Sequence, residues 1–278
     1  MSQKHSVTTP IFDAADTVAW HRWLQPLQGA MAGNHAPLDR DVIDAELATD
    51  ADGSIPPVRT QLLTCLRSHL NAAKVRLRRR FYDSNDGAVY VGMYAWAIDI
   101  LLQLLYAETQ KHCRGGGDLA VVAVGGYGRG EMAPYSDIDI MILMPKTPTA
   151  SHTKFIEFML YILWDLGLKI GHSTRSISEA IAAAREDHTV LTSLLEMRHV
   201  AGDESLWARL SRAVQREIGK QKPLVYVEEK LAERDVRHKR FGDTRYVVEP
   251  NVKDGKGGLR DLHSLFWIAK YAYRANSI

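Results

Sequence analysis

The chain has 278 residues, of which 46% are apolar and 24% are charged, a composition that excludes a disordered, collagenous or fibrous protein. Its 35 Lys and Arg residues nearly balance its 33 Asp and Glu residues, which gives a net charge of +2. This balance argues against a dedicated nucleic-acid-binding protein, which would be more basic or would concentrate its charge.

The first 56 residues carry little periodicity and predict an N-terminal extension with weak helices. After Pro57, leucines at positions 62, 66 and 70 recur at i, i+4 and i+8, which predicts an amphipathic helix. This helix ends in the basic run 74–81, KVRLRRRF. Cations there suit the negative end of the helix dipole, which predicts a solvated helix end; attraction for phosphate or for an acidic partner is the alternative.

Residues 88–112 predict a second, mostly apolar helix. Its longest apolar stretch, 95–107, is interrupted by Asp99 and Gln103 and is too short and too polar to span a bilayer. The two cysteines, Cys65 and Cys113, fall in these helical patterns and predict reduced core thiols rather than a disulfide framework. With no secretory signal at the N-terminus, the sequence predicts a cytoplasmic protein without a membrane partner.

After residue 112 the spacing of the apolar residues changes from one typical of helices to one typical of strands. Three β-strands are predicted, at 119–124 (LAVVAV), 136–143 (SDIDIMIL) and 168–174 (LKIGHST). A helix at 155–166 separates the second strand from the third. From Ser176, which opens an S-x-x-E capping box, the chain is predicted to be helical except for the loop YVVEPNVKDGKGGLRD. The helices there are placed at 187–199, 203–220 and 223–240, with a final apolar helix after Gly257-Gly258.

The segment between the first two strands carries the candidate chemistry. It lacks the Lys-Ser/Thr of a Walker loop, and the next strand follows too soon for the long helix of a dinucleotide-binding loop. A strand that ends in Gly125-Gly126 lets phosphate groups approach the backbone closely, because glycine has no Cβ. Asp137 and Asp139 project from one face of the next strand, and paired carboxylates suit Mg²⁺. Metal and triphosphate together are the equipment for displacement at phosphorus.

The stretch 125–143, GGYGRGEMAPYSDIDIMIL, resembles the core of polymerase-β-like nucleotidyltransferases. Three further stretches, 165–176, 192–203 and 248–270, are similar to the catalytic domain of bacterial PII uridylyltransferase/uridylyl-removing enzymes. The last is the most specific, because it joins E-P-N-x-K to G-G-L-R-D. Glutamine-synthetase adenylyltransferases have a similar core, but usually carry Ser where this chain has Tyr127.

The resemblance implies an α+β fold in which a small mixed β-sheet forms the nucleotidyltransferase core, flanked by helices. We assign residues 1–56 to the extension, 57–175 to the core with its preceding helices, and 176–278 to a truncated helical substrate-binding domain. Relatives continue into a phosphohydrolase domain and two ACT domains. The nearest candidate hydrolase cluster, Asp235 to His238, is predicted to be a solvated helix face, so we expect neither uridylyl removal nor glutamine control from this chain.

The resemblance also implies a reaction. UMP would pass from UTP to a tyrosine of the PII signal-transduction protein, with release of pyrophosphate, in nitrogen regulation. Asp137 and Asp139 would be catalytic and hold Mg²⁺. The implied nucleotide-binding residues are Gly125, Gly126, Ser136 and Arg129. A solvated loop position for Arg129 remains open, and Glu131 is predicted either to cap the short helix or to orient that arginine.

One departure from the family pattern concerns the third carboxylate that polymerase-β-like enzymes commonly carry on the next strand. Here the strand LKIGHSTRS has neither Asp nor Glu, and its corresponding position is near 171–173. The candidate general bases are Glu196, Glu249 and Asp261, each of which is also interpretable as an ion-pair residue. His172 is more simply a packed histidine. Two alternatives therefore stay open: an adenylyltransferase of the glutamine-synthetase type, and a nucleotide-sensing module without turnover.

Overall fold

The computed structural model describes residues 37–49, 55–220, 223–244, 246 and 248–273, so most of the predicted N-terminal extension lies outside the described residues. The described residues form ten helices and four strands. The helices are α1 (Arg40–Thr49), α2 (Ile55–Ser84), α3 (Gly87–His112), α4 (Gly125–Gly128), α5 (Ala150–Asp165), α6 (Ile177–Glu186), α7 (His188–Leu195), α8 (Glu204–Ile218), α9 (Pro223–Arg240) and α10 (Leu259–Tyr273). The strands are β1 (Ala120–Ala123), β2 (Ile138–Leu143), β3 (Ile170–Arg175) and β4 (Arg198–Gly202). The predicted α+β class is confirmed.

The four strands form one mixed sheet in the order β3-β2-β1-β4. Strands β2 and β3 run parallel, whereas β1 is antiparallel to both of its neighbours. All three predicted strands are present. Strand β4 corrects the sequence analysis, because the helix predicted at 187–199 ends at Leu195 and a strand that was not predicted follows it. The sheet therefore takes a strand from beyond residue 175, while the proposed domain division stays a prediction.

The two faces of the sheet pack against different helices. One face carries Ile138, Ile140 and Ile142 and belongs to a core shared with α2, α3 and α5, as the alternation in the sequence predicted. The other face carries Met141 and packs against α6, α7, α8 and the aromatic side chains of α10. Asp139 lies on this second face, since side chains alternate along a strand.

Helix α3 is the central helix of the first core. It begins after Asp86, whose Oδ1 accepts a hydrogen bond of 3.0 Å from the Val89 N–H. Among the described helices it alone is long and apolar enough to cross a membrane by composition, and 67% of that apolar window is buried inside the fold. The apolar sequence of α3 therefore serves packing. Cys65 and Cys113 are both free thiols, as predicted, with Cys65 buried and Cys113 partly buried.

Candidate functional site

The glycine turn after β1 meets the start of β2. Gly125 has φ +59°, a left-handed conformation that favours glycine, and it leads into the single turn of α4. The Val124 N–H donates to the Asp139 carbonyl at 3.0 Å, which extends the β1–β2 pairing up to the turn. A Cβ on Gly125 would lie 3.4 Å from Asp139 Oδ2. The fold thus brings the predicted glycine turn and the predicted aspartates together.

The two aspartates form a carboxylate pair at this edge of the sheet. Asp137 is exposed just before β2, and Asp139 is half-buried within it. Burial and the nearby Asp137 charge raise the pKa of Asp139. A cation would relieve this repulsion, and carboxylate oxygens are the ligands that Mg²⁺ takes, with water and phosphate oxygens completing its shell. The residues present therefore fit the ion that the sequence implied.

The strand next to the pair explains the missing third carboxylate. In the parallel register, Gly171 of β3 is the partner of Asp139. A Cβ at Gly171 would lie 2.2 Å from Asp139 Oδ1, so any larger side chain would displace the carboxylate. His172 points to the opposite face and packs edge-on against Trp164, with ring centroids 5.8 Å apart. The structure therefore does not bring His172 to the site.

Ser136 lies in the turn that precedes the pair. Its N–H donates to the Ala133 carbonyl at 3.1 Å, and its side chain is half-buried. The preceding residue, Tyr135, has φ +66° and is exposed. Ser136 thus contributes to the geometry of the turn that delivers Asp137, and its predicted contact with the nucleotide stays a prediction.

Arg129 is buried beside the glycine turn and is not a solvated loop residue. Its Nε donates to Glu131 Oε2 at 2.9 Å, and its Nη1 donates to Glu196 Oε1 at 2.6 Å. Its Nη2 lies 3.6 Å from the point where a Cβ on Gly126 would stand. Of the two roles considered for Glu131, the structure supports orienting Arg129. The guanidinium is therefore fixed by two carboxylates with one edge turned towards the glycines.

Helix α10 reaches back to this arginine with a row of side chains that the sequence analysis missed. Trp267 Nε1 donates to Glu196 Oε1, and His263 Nε2 lies 3.6 Å from Glu131 Oε2. The contacts from His263 and Arg129 lower the pKa of Glu131 to about 2. On the same face, burial lowers the pKa of Lys270 to about 8, against the opposing charge of Glu196. Positions 263, 267 and 270 have helical spacing, which is the signal that identifies this face.

The remaining base candidates lie in other surroundings. Glu196 is buried as the ion-pair partner of Arg129. Asp261 accepts hydrogen bonds from the Gly257 N–H at 2.7 Å, from Arg237 at 2.5 Å and from His238 at 2.9 Å. His238 is buried, which corrects the predicted solvated face at that residue, whereas Asp235 and Val236 are exposed.

A second buried arginine supports the glycine turn from below. Arg198 on β4 donates to both carboxylate oxygens of Asp99, at 2.7 and 2.9 Å, and to the Tyr127 carbonyl at 3.3 Å. The Tyr127 hydroxyl also donates to Asp99, at 2.6 Å. Burial and the Asp99 charge raise the pKa of Tyr127, which keeps its hydroxyl protonated as a donor. Asp99, an acid inside an apolar helix, was the sequence signal for this buried network.

One other group of metal-ligating residues lies between α1 and α2. Ligand atoms of Glu46, Cys65 and His69 all lie within 4.8 Å of one another. His69 Nε2 and Glu46 Oε2 are 2.9 Å apart, and burial together with Glu46 raises the pKa of the Cys65 thiol to about 12. These contacts describe a hydrogen-bonded group with a protonated thiol that joins the two helices.

Two protein families match the chain by sequence. The nucleotidyltransferase domain matches residues 110–191, and the GlnD PII-uridylyltransferase family matches residues 226–278. The first match contains the glycine turn, the aspartate pair and strand β3. The second contains α10 and the loop before it. Residues that meet around Arg129 are therefore drawn from both matched segments.

Curated relatives cover most of this chain. A bifunctional uridylyltransferase/uridylyl-removing enzyme of Rhodospirillum rubrum is 46% identical over 222 residues, which is 77% of this chain and 24% of the relative. Enzymes of the same description from Rhodopseudomonas palustris and Azospirillum brasilense are each 43% identical over 241 residues, 84% of this chain and 26% of the relative. The chain spans about a quarter of the length of the curated relatives it matches.

Proposed function

Because the chain belongs to the PII-uridylyltransferase family, we propose that it transfers UMP from UTP to a tyrosine hydroxyl of the PII protein, with release of pyrophosphate. The observation that carries this proposal is the aspartate pair beside the glycine turn, with Asp139 Oδ2 3.4 Å from the Cβ point of Gly125. The proposal includes a cytoplasmic location and a role in nitrogen regulation. Both are what the resemblance to this family implies.

The side chains divide the work as follows. Asp137 and Asp139 would hold Mg²⁺, which when bound neutralises phosphate charge and lowers the cost of ionising the acceptor hydroxyl. The open backbone at Gly125 and Gly126 would accept the phosphates closely. Arg129, fixed by two carboxylates, would donate from its remaining edge to a phosphate oxygen.

The group transfer is a displacement at the α-phosphorus of UTP. The acceptor oxygen forms a new bond to that phosphorus, and the bond from the phosphorus to the bridging oxygen breaks. Pyrophosphate leaves with that electron pair, and the hydroxyl proton passes to water. Of the candidate bases, Glu196 and Asp261 are engaged in the contacts described above, and Glu249 is exposed, so no side chain is assigned as general base.

Labelled nucleotides test the proposal directly. The purified chain is incubated with Mg²⁺, PII and either labelled UTP or labelled ATP, and incorporation into PII is measured. We expect label from UTP only. Label from ATP alone would favour the adenylyltransferase alternative. Nucleotide binding without transfer from either nucleotide would favour a sensing module.

The aspartate pair has its own test. Asp137→Asn keeps the shape of the side chain but removes a charge from the pair, so transfer is expected to fall at least about 100-fold while the unfolding transition is unchanged. Glu157→Gln, at an exposed carboxylate of α5, is the matched control and is expected to keep full activity. Full activity of Asp137→Asn would exclude Asp137 from the site.

A further inference from the structure

A cluster of aromatic rings and one arginine lies between the end of α2, the start of α3 and the turn before β2. We call it the aromatic patch, and it consists of Arg78, Phe81, Tyr82, Tyr90 and Tyr135. Tyr135 is 90% exposed and Tyr82 is 63% exposed. Large exposed aromatic side chains gathered in one place are typical of an interaction surface rather than of a free monomer surface.

The patch is held together by ring contacts. The ring of Phe81 packs against Tyr82 and, edge-on, against Tyr90, with centroids 5.9 and 5.8 Å apart. The Arg78 guanidinium lies 5.7 Å from the centroid of Tyr82. Tyr82, and more weakly Tyr135 and Tyr90, raise the pKa of Arg78. The ring contacts therefore join the end of α2 to the start of α3, and Tyr135 is near enough to act on the Arg78 charge.

Tyr135 is held in a conformation that favours glycine. Its φ of +66° is uncommon for a bulky residue, and such strain concentrates at functional positions. Burial of the side chain does not compensate for this strain, because the side chain is almost fully exposed. Packing inside this chain therefore does not account for a tyrosine at this position.

One residue of the patch, Tyr135, lies close to the aspartate pair along the chain. Tyr135 precedes Asp137 by two residues, and the loop that carries both is tied to α3 by the Met132 N–H, which donates to the Val91 carbonyl at 3.3 Å. Two residues span at most about 7 Å of backbone, so a molecule in contact with Tyr135 is within reach of Asp137. Arg79 and Arg80 follow Arg78 in the basic run at the end of α2, and both are exposed.

We propose that the aromatic patch and the adjoining arginines dock the acceptor protein of the transfer reaction, through an acidic segment that flanks the hydroxyl to be modified. Exposed aromatic rings supply rigid contact area, and the three consecutive arginines supply attraction for carboxylates. The position next to Asp137 would deliver the hydroxyl to the α-phosphorus. This proposal rests on the proposed function and names the part of the surface that selects the acceptor.

The test separates acceptor binding from nucleotide binding. Three variants are compared: Tyr82→Ala, Tyr135→Gly and the double variant Arg79→Glu/Arg80→Glu. Tyr135→Gly places glycine at a positive φ, so it removes the ring without strain. For each variant we expect the KM for PII to rise roughly tenfold, as for an interface residue worth about 1.4 kcal/mol, while the KM for UTP and the kcat at saturating PII stay unchanged.

Matched controls lie on other surfaces. Tyr161→Ala removes a tyrosine of α5 that is 50% exposed, and Arg212→Glu reverses an exposed charge of α8. Both are expected to keep the KM for PII. Calorimetric titration of PII into each protein gives the same comparison without turnover, so loss of patch-dependent binding is visible even if the unaltered chain transfers no UMP.

Three outcomes would overturn the proposal. Unaltered PII binding by all patch variants would show that the acceptor docks elsewhere. A rise in the KM for UTP instead of PII would show that the patch is a nucleotide subsite. Failure of the unaltered chain to bind PII would remove the named acceptor, whereas PII binding without UMP transfer would count against the proposed function alone.

Discussion

Two buried arginines contact the same glycine turn and do so in different ways. Arg198 lies under the turn with Asp99 bound to both ends of its guanidinium and the Tyr127 carbonyl as a further acceptor. Arg129 lies beside the turn with its Nε and Nη1 bound to Glu131 and Glu196, and with Nη2 directed towards Gly126. Both are charged side chains with less than a tenth of their surface exposed.

The difference between them separates a structural role from a binding role. Burying a charge is costly, so each arginine must be matched by a carboxylate. For Arg198 the ion pair with Asp99 is buried, and its further bond to the Tyr127 carbonyl fixes the backbone of the turn. For Arg129 the match leaves one edge directed at the place proposed for phosphate. Mutations around Arg198 should therefore lower mainly the stability of the fold, and mutations of Arg129 should lower mainly the rate of transfer.

The largest effect is expected from Asp99→Ala. It leaves Arg198 charged and buried without its carboxylate and removes the acceptor of the Tyr127 hydroxyl, so the free energy of unfolding should fall by about 3–5 kcal/mol. Denaturant unfolding monitored by circular dichroism measures this. The double variant Asp99→Leu/Arg198→Met removes both charges and should recover much of the loss. A loss below 1 kcal/mol in the single variant would contradict the enclosed pair.

Next in size is Arg129→Lys, whose effect should appear in catalysis. Lysine keeps the charge but cannot bridge two carboxylates and donate to a third acceptor at once. A hydrogen bond to a charged group is worth about 1.5–3 kcal/mol, so kcat/KM for UTP should fall roughly 10- to 100-fold. Steady-state transfer with varied UTP measures it, and the unfolding curve serves as the control. Unchanged kcat/KM with a large loss of stability would show that Arg129 has a structural role like that of Arg198.

A smaller effect is expected from Tyr127→Phe, which removes only the hydroxyl that donates to Asp99. The carboxylate keeps its two bonds from Arg198, so the free energy of unfolding should fall by about 1–2 kcal/mol. Transfer by the folded fraction should be unchanged. Thermal unfolding and a transfer assay on one preparation test both statements. A selective loss of transfer would show that the Tyr127–Asp99–Arg198 network takes part in catalysis.

The smallest effect is expected at a third arginine pair, between α6 and α8, where the cation is half-exposed. Arg185 binds Glu217 through two bonds of 2.7 Å, and with help from Lys220 it lowers the pKa of Glu217 from 4.5 to about 2. Because solvent screens this pair, Glu217→Gln should cost about 1 kcal/mol at pH 7. A lowered carboxyl pKa stabilises the fold above about pH 4.5, and this contribution disappears as the pH falls towards about 2. Unfolding at pH 7 and pH 3 should therefore differ less in Glu217→Gln than in the unaltered chain.

Much of the fold was predictable from local pattern. The alternation of Ile138, Ile140 and Ile142 predicted both strand β2 and the face it buries, and the glycines and aspartates predicted where the candidate site lies. These features depend on residues close together in the sequence. Local periodicity is enough to predict them because each strand or turn is specified by its own side chains.

The features that the sequence did not predict depend on distant partners. Strand β4 contains Arg198, which reads as a surface residue until Asp99 of α3 is placed beside it. His238 likewise reads as solvated until the Asp261 carboxylate, from the next helix, covers it. Arg129 was left between two interpretations because its partner Glu196 is 67 residues away in the sequence. In each case tertiary pairing, and not local propensity, decides the environment of the side chain.

The pairing of β4 with β1 has a consequence for the order of folding. Strands β1 and β2 are neighbours in the chain and pair along one edge of β1. The other edge pairs with β4, where Ala120 is the partner of Gly202 and Ala123 of Arg198. That edge therefore stays unpaired until a distant segment reaches it. Closing such a long loop costs entropy and slows folding. During synthesis, Arg198 can contact the glycine turn only after α6, α7 and the start of β4 have emerged from the ribosome. A nascent chain that stops before β4 would carry every predicted phosphate-binding and metal-binding residue and still lack the support that shapes the turn.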